Sequence, residues 1–190
     1  MLDNVKNNIN WLAQCKRRFK YPIDQSDICG LTAFEYGWKS FNNLYSEFKK
    51  GYDKEKMIQC VDKYIDAKAY VSLYRDDIIR FCDVDHRIYL GDSQYESLNH
   101  KLSGYVCNLR DSLESDDSLN VIHSLINCLY VIRNARVHGA FGTGKVHFSF
   151  LPKAIYTLNI HILSSKLGVS IDTIKSEIDN QLTEIKSGIA

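Results

Sequence analysis

The chain has 190 residues, of which 45% are hydrophobic and 25% charged, with a formal charge of +1. That length suits one domain with a buried core, and a balance so near neutral gives no overall attraction to a nucleic acid or a membrane surface. Two prolines and ten glycines leave little material for strand-and-turn architectures or long linkers.

Helical spacing begins at once. Leu2, Val5, Ile9, Leu12 and Cys15 or Phe19 recur every three or four residues, which marks an amphipathic helix, and Tyr21-Pro22 breaks it. A second helix is expected from about Ile28 to Lys49, carrying Phe34, Trp38, Phe41, Leu44, Tyr45 and Phe48, with Gly51 as its terminator. The same spacing continues through Met57, Val61, Ile65 and Ala69 and on towards Ile79. Asp83 to Glu96 is the least regular stretch, with a turn at Gly91-Asp92-Ser93. A shorter helix covers Tyr95 to Leu113. Asp116-Asp117-Ser118 then supplies caps for a helix reaching about Val137. Beyond a glycine-rich loop from Gly139 to Gly144, a helix starts near Pro152 and ends around Lys166-Leu167-Gly168. Ser170 caps a last helix that reaches about Ile185. The expected fold is a single all-α bundle over residues 1–190.

The six cysteines are scattered without a C-x-x-C pair, and several fall in apolar helical stretches, where free cysteine acts as a small buried hydrophobe. The opening Met1-Leu2-Asp3-Asn4-Val5-Lys6 lacks the basic-then-apolar pattern of a signal peptide. No run approaches the roughly 18 apolar residues of a membrane span. A reduced, cytoplasmic setting without membrane association is the expectation. No histidine is closely spaced with another histidine or a cysteine as metal ligands are. Asp83-x-Asp85-His86 reads as a polar loop, so neither metal nor cofactor is expected. The basic runs Lys16-Arg17-Arg18 with Lys20, and Lys49-Lys50, read as solvated helix ends.

The chemically unusual segment is Leu129 to Gly139. At about 100° per residue, Ile122, Leu125, Ile126, Leu129 and Ile132 form one core-facing stripe, and Arg133 continues it by a further turn. A guanidinium on that line must be satisfied, because an unpaired buried charge costs several kcal/mol. A second stripe holds His123, Asn127, Tyr130, Asn134 and His138. It is polar yet uncharged, which suits a groove or a symmetric interface better than a solvated face. On spacing alone, Arg133 capping carbonyls and His138 at a helix C-terminus would also satisfy the pattern.

Arg133-Asn134-x-x-x-His138-Gly139 resembles the R-x4-6-H motif of HEPN-domain proteins. Phe34-Glu35-Tyr36-Gly37-Trp38-Lys39-Ser40-Phe41-Asn42-Asn43-Leu44-Tyr45 is similar to the aromatic W-x-x-F-N-x-L-Y helix of one branch of that superfamily. The resemblance covers about residues 28–166, leaving the first helix and the last as additions. It implies a helical bundle that forms a homodimer, and a metal-independent endoribonuclease of the kind used in toxin–antitoxin systems or phage defence. His138 would then move protons as the 2′-hydroxyl attacks the adjacent phosphate. Arg133 would hold that phosphate, and Asn134 would position one of the two. Lys145, Arg136, Asn127 and Tyr130 become candidate RNA contacts, with Glu35 as an ion-pairing support for Arg133. A cognate antitoxin or other partner protein is a further expectation.

Three other readings compete. The resemblance also extends to non-catalytic modules that bind a nucleotide or a partner protein. Leu163 to Ile174 resembles a helix-turn-helix, but the second helix carries Asp172, Glu177, Asp179 and Glu184 against Lys175 and Lys186, which phosphates would repel. Gly142-Thr143-Gly144-Lys145 lacks the glycine spacing, the following Ser/Thr and the preceding strand of a P-loop.

Overall fold

The computed structural model describes residues 2–20, 28–83, 89–90, 93–137 and 150–187. Among these the fold is all-α, with helices α1 (Leu2–Lys20), α2 (Ile28–Tyr45), α3 (Asp53–Tyr64), α4 (Ala67–Cys82), α5 (Glu96–Glu114), α6 (Ser118–Val137), α7 (Phe150–Leu167) and α8 (Ile171–Ser187). Tyr89–Leu90 and Ser93–Gln94 form a two-residue antiparallel ladder, β1 and β2, pairing Tyr89 with Gln94 and Leu90 with Ser93. The turn expected there falls on Gly91 and Asp92, which lie outside the described residues, as do Tyr21-Pro22 and Asp85-His86. No described helix is long and apolar enough to cross a membrane.

The chain divides into two compact units. The first takes 1–51, 59–65 and 148–190, hence α1, α2, the latter half of α3, α7 and α8. The second takes 52–58 and 66–147, hence the start of α3, α4, α5 and α6.

In the first unit α1 and α2 run antiparallel. Asn43 donates to the Asn4 carbonyl at 3.4 Å, and the Ser40 hydroxyl to the Asn8 side chain at 3.0 Å in a buried bond. Three- and four-residue spacing stacks the rings of Phe34, Trp38, Phe41 and Tyr45 along α2, with centroids 5.7, 5.7 and 5.3 Å apart. Such offset and edge contacts add to the area that these side chains bury. Gly37 sits in this row because α7 crosses there, and a methyl group at that position would collide with Ile155. At the same crossing the fully buried Asn159 donates to the Gly37 carbonyl at 2.9 Å and to its own Ile155 carbonyl at 2.8 Å.

Helix α2 stops at Tyr45, earlier than its apolar pattern runs. Phe48 turns off to pack edge-on against Tyr64, 6.4 Å away. Glu47 accepts a hydrogen bond from Tyr64 at 2.7 Å and pairs with Lys166. Burial pushes the Glu47 carboxyl up, but these two donors outweigh it and hold the group below its ordinary range. Gly51, at φ 95°, serves the turn before α3 and does not cap α2.

Helix α7 is apolar nearly all round and buried along most of its length, from Leu151 to Leu163. Pro152 is accommodated as its third residue, where a backbone N–H has no intrahelical partner to lose. Gly168, at φ 65°, closes it. Val169 N–H reaches the Ser164 carbonyl at 3.1 Å and Gly168 N–H the Ser165 carbonyl at 3.4 Å, the paired closure glycine permits. Ser170 then caps α8 by accepting from Thr173 N–H at 3.1 Å. Ile174, Ile178 and Leu182 form the buried stripe of α8, while Lys16 of α1 pairs with Asp179.

In the second unit the periodicity from Met57 to Ile79 resolves into two helices, not one. Asp66 is the reason: its side chain accepts from Ala69 N–H at 3.0 Å and starts α4 afresh. Helices α5 and α6 meet at Asp116, a non-glycine residue at φ 54°. Arg75 of α4 secures that turn, donating to the Leu113 carbonyl at 2.8 Å and to the Asp116 carboxylate at 3.0 Å. The unit's core is built from Tyr70, Val71, Ile78 and Phe81 of α4, Leu102, Val106, Leu109 and Leu113 of α5, and the apolar residues of α6.

Candidate functional site

Helix α6 begins where Asp117 accepts from Asn120 N–H at 3.1 Å, a side-chain cap for one of the open backbone donors of the first turn. Ile122, Leu125, Ile126, Leu129 and Ile132 are all buried, as the sequence stripe requires. Val121, Cys128, Val131 and Ala135 are buried too, so the helix is enclosed on more than one side. Its polar row is half-buried at His123, Asn127, Tyr130 and Asn134. Among the described residues, the Asn127 side-chain oxygen is screened from solvent and has no donor. An unmet buried acceptor of this kind costs about 1–3 kcal/mol.

Arg133 is half-buried one turn beyond Leu129. Its Nη1 donates to the Asn134 side-chain oxygen at 3.0 Å. Neighbouring helical residues do not face one another, so the contact depends on the length of the arginine stem, which carries the guanidinium from the apolar line across to the polar one. The pair occupies the last turn of α6, where the helix's partial negative charge favours a cation.

The other expected site residues divide into two groups. Arg136 lies in α6 with its side chain outside the described residues, and His138, Gly139 and the loop carrying Lys145 are also outside them. Glu35 is an exposed residue of α2 and belongs to the first unit, whereas Arg133, Asn134, Asn127 and Tyr130 belong to the second. Among the described residues no three His, Cys, Asp or Glu side chains gather as metal ligands would. Of the thiols, Cys15, Cys60, Cys82 and Cys128 are buried and Cys107 is exposed. Burial pushes the four buried thiols up, Cys60 to about 12 and Cys82 to about 11, which removes them as nucleophiles.

One arrangement was not legible from the basic runs. Tyr36 of α2 carries two cations against its ring, the Arg18 guanidinium 5.4 Å and the Lys39 ammonium 5.0 Å from its centroid. The three-residue step from Tyr36 to Lys39 signals half of it. The other half needs the pairing of α1 with α2, which no local pattern supplies.

Comparison with family models, with curated proteins and with solved structures gives no match to this chain.

Proposed function

We propose that the chain is a metal-independent endoribonuclease of HEPN type, with its active site built on the end of α6. The observation that carries this reading is the Arg133–Asn134 contact: a half-buried guanidinium fixed by a neutral carboxamide, one turn before His138 in the sequence. The carboxamide accepts from one arm of the guanidinium and so orients the planar fork, whose geometry suits the oxygens of a phosphate.

In the reaction, His138 accepts the proton of a ribose 2′-hydroxyl as its oxygen attacks the adjacent phosphorus; the bond to the 5′-oxygen breaks and that oxygen takes a proton from water, so that proton loss and gain balance. Arg133 stabilises the negative charge that grows on the non-bridging oxygens. The products are a 2′,3′-cyclic phosphate and a 5′-hydroxyl. Asn127 and Tyr130, both half-buried, extend the polar face along which RNA lies. Arg136 and Lys145 serve as backbone contacts. Two copies facing each other through α6 make the working unit, acting in the cytoplasm as a toxin with a cognate antitoxin or in phage defence.

The test is incubation of purified protein with RNA in EDTA. Cleavage that leaves 2′,3′-cyclic phosphate ends, abolished by Arg133→Ala and by His138→Ala, supports the reading. No cleavage by the parent, or cleavage persisting in both variants, removes it and leaves a binding module.

A further inference from the structure

The cations around Tyr36 form a second cluster, in the first unit, that takes no part in the chemistry assigned to α6. Arg18 of α1 and Lys39 of α2 both lie within 5.4 Å of the Tyr36 centroid. They therefore act together inside one screening length, about 10 Å at 0.1 M salt. Arg17, adjacent in the last turns of α1, is exposed, as is Lys39.

Three features set this group apart from a solvated helix end. Among the described residues no salt bridge is recorded for Arg17, Arg18 or Lys39. Lys16, by contrast, is occupied by Asp179. Among the described residues the Arg18 Nε is screened from solvent and has no acceptor, although leaving a charged donor unmet is costly. The Tyr36 ring, finally, attracts both cations electrostatically and so holds two like charges at one side chain. An anion spanning the group would bind the outward N–H groups of the cations and offset their like charge.

We propose that Arg18 and Lys39, set against Tyr36, together with the exposed Arg17 next to Arg18 in sequence, form an anchoring site for the phosphodiester backbone of single-stranded RNA. Arg17 and Lys39 are exposed on α1 and α2, which suits a polymer passing over them. Guanidinium forks and an ammonium bind phosphate oxygens without reading bases. RNA, as opposed to another polyanion, rests on the ribonuclease reading of α6. The anchoring itself needs no cleavage.

Binding of fluorescein-labelled polyuridylate to the full-length His138→Ala protein, followed by anisotropy in EDTA over a salt series, tests the site. Arg17→Gln with Arg18→Gln and Lys39→Gln is expected to weaken binding about tenfold or more at low salt. It should also reduce the slope of log affinity against log salt by about two, since each backbone contact contributes roughly 0.7. Arg17→Gln with Lys39→Gln alters only exposed positions, leaves the fold intact and is expected to lower the slope by about one. Tyr36→Leu, which keeps all three charges but frees them, is expected to weaken affinity with little change in slope. A folded triple variant with the parent's affinity and slope overturns the anchor, as does a parent that fails to bind RNA. Patch-dependent binding without cleavage by the His138-intact protein keeps the anchor and removes the nuclease. Cleavage with patch-independent binding does the reverse.

Discussion

The side chains of Arg133 and Asn134, consecutive on α6, are joined by a 3.0 Å hydrogen bond from guanidinium to carboxamide. Adjacent helical residues point about 100° apart, so only the longer of the two can close that gap. If this pair positions the phosphate-holding group, Arg133→Ala lowers the cleavage rate roughly 100- to 1,000-fold, the usual cost of one transition-state donor. Arg133→Lys recovers little, because an ammonium lacks the planar fork. Asn134→Ala keeps the charge and loses its orientation, and about 10- to 100-fold is expected. Single-turnover rates on one RNA check the order. Equal rates for Asn134→Ala and parent would remove the positioning role.

The α2–α7 crossing gives a stability prediction. Gly37→Ala forces a methyl group into Ile155, an overpacking cost of about 1–3 kcal/mol against a helix-propensity gain of about 1 kcal/mol. A net loss of up to about 2 kcal/mol is expected in urea melts. Ile155→Val in the same background relieves the collision and restores part of the loss.

At the α5–α6 turn, Arg75→Ala leaves the Leu113 carbonyl without its donor and removes an exposed ion pair with Asp116. Solvent screening keeps the ion pair small, so the loss is about 1 kcal/mol, or roughly 2–4 °C in Tm for a chain of this size. Asp116→Gly relieves a left-handed backbone at φ 54° and is expected to match or exceed the parent in Tm. A Tm well below the parent for Asp116→Gly would mean that the ion pair, and not the backbone, governs the turn.

His161 of α7 links stability to pH. Burial first, and the Lys175 ammonium second, lower its tendency to take up a proton. The unfolded chain therefore binds the proton more readily, with an ordinary pKa near 6.5. Full stability is present above that value and is lost as pH falls from it towards the lower folded pKa. Urea midpoints at pH 7.5 and pH 5.5 are expected to differ more for the parent than for His161→Gln. Identical differences in the two proteins would exclude His161 as a source of the pH dependence.

The sequence was most readable where a local signal had no competitor. The stripe from Ile122 to Ile132 is buried as read, and Asp117 and Ser170 cap the helices they precede. It was least readable where a short-range pattern met a longer-range demand. Phe48 continues the aromatic spacing of α2, yet Tyr64 and the Glu47–Lys166 pair draw that segment off the helix. Asp66 interrupts a periodicity that hydrophobic positions alone carry straight through. Arg133 was readable as a charge in need of a partner, but that the next residue accepts from it was not. The cations at Tyr36 come from helices separated in sequence, so the basic run in α1 gave no sign of the ring that would hold it.

The order of segments in the two units sets the sequence of events during synthesis. Residues 66–147 of the second unit form an unbroken stretch that can fold while still emerging from the ribosome, so α6 closes early. The first unit joins α1 and α2 to α7 and α8, which are made after the second unit. Until α7 is made, the nascent α1–α2 hairpin lacks the helix that crosses it at Gly37, and its aromatic row stays open to chaperones or to premature association. Translation that stalls before residue 150 would leave a finished Arg133–Asn134 helix beside an unfinished first unit. Under this scheme the basic cluster on α1 and α2 is the last of the two sites to become fixed.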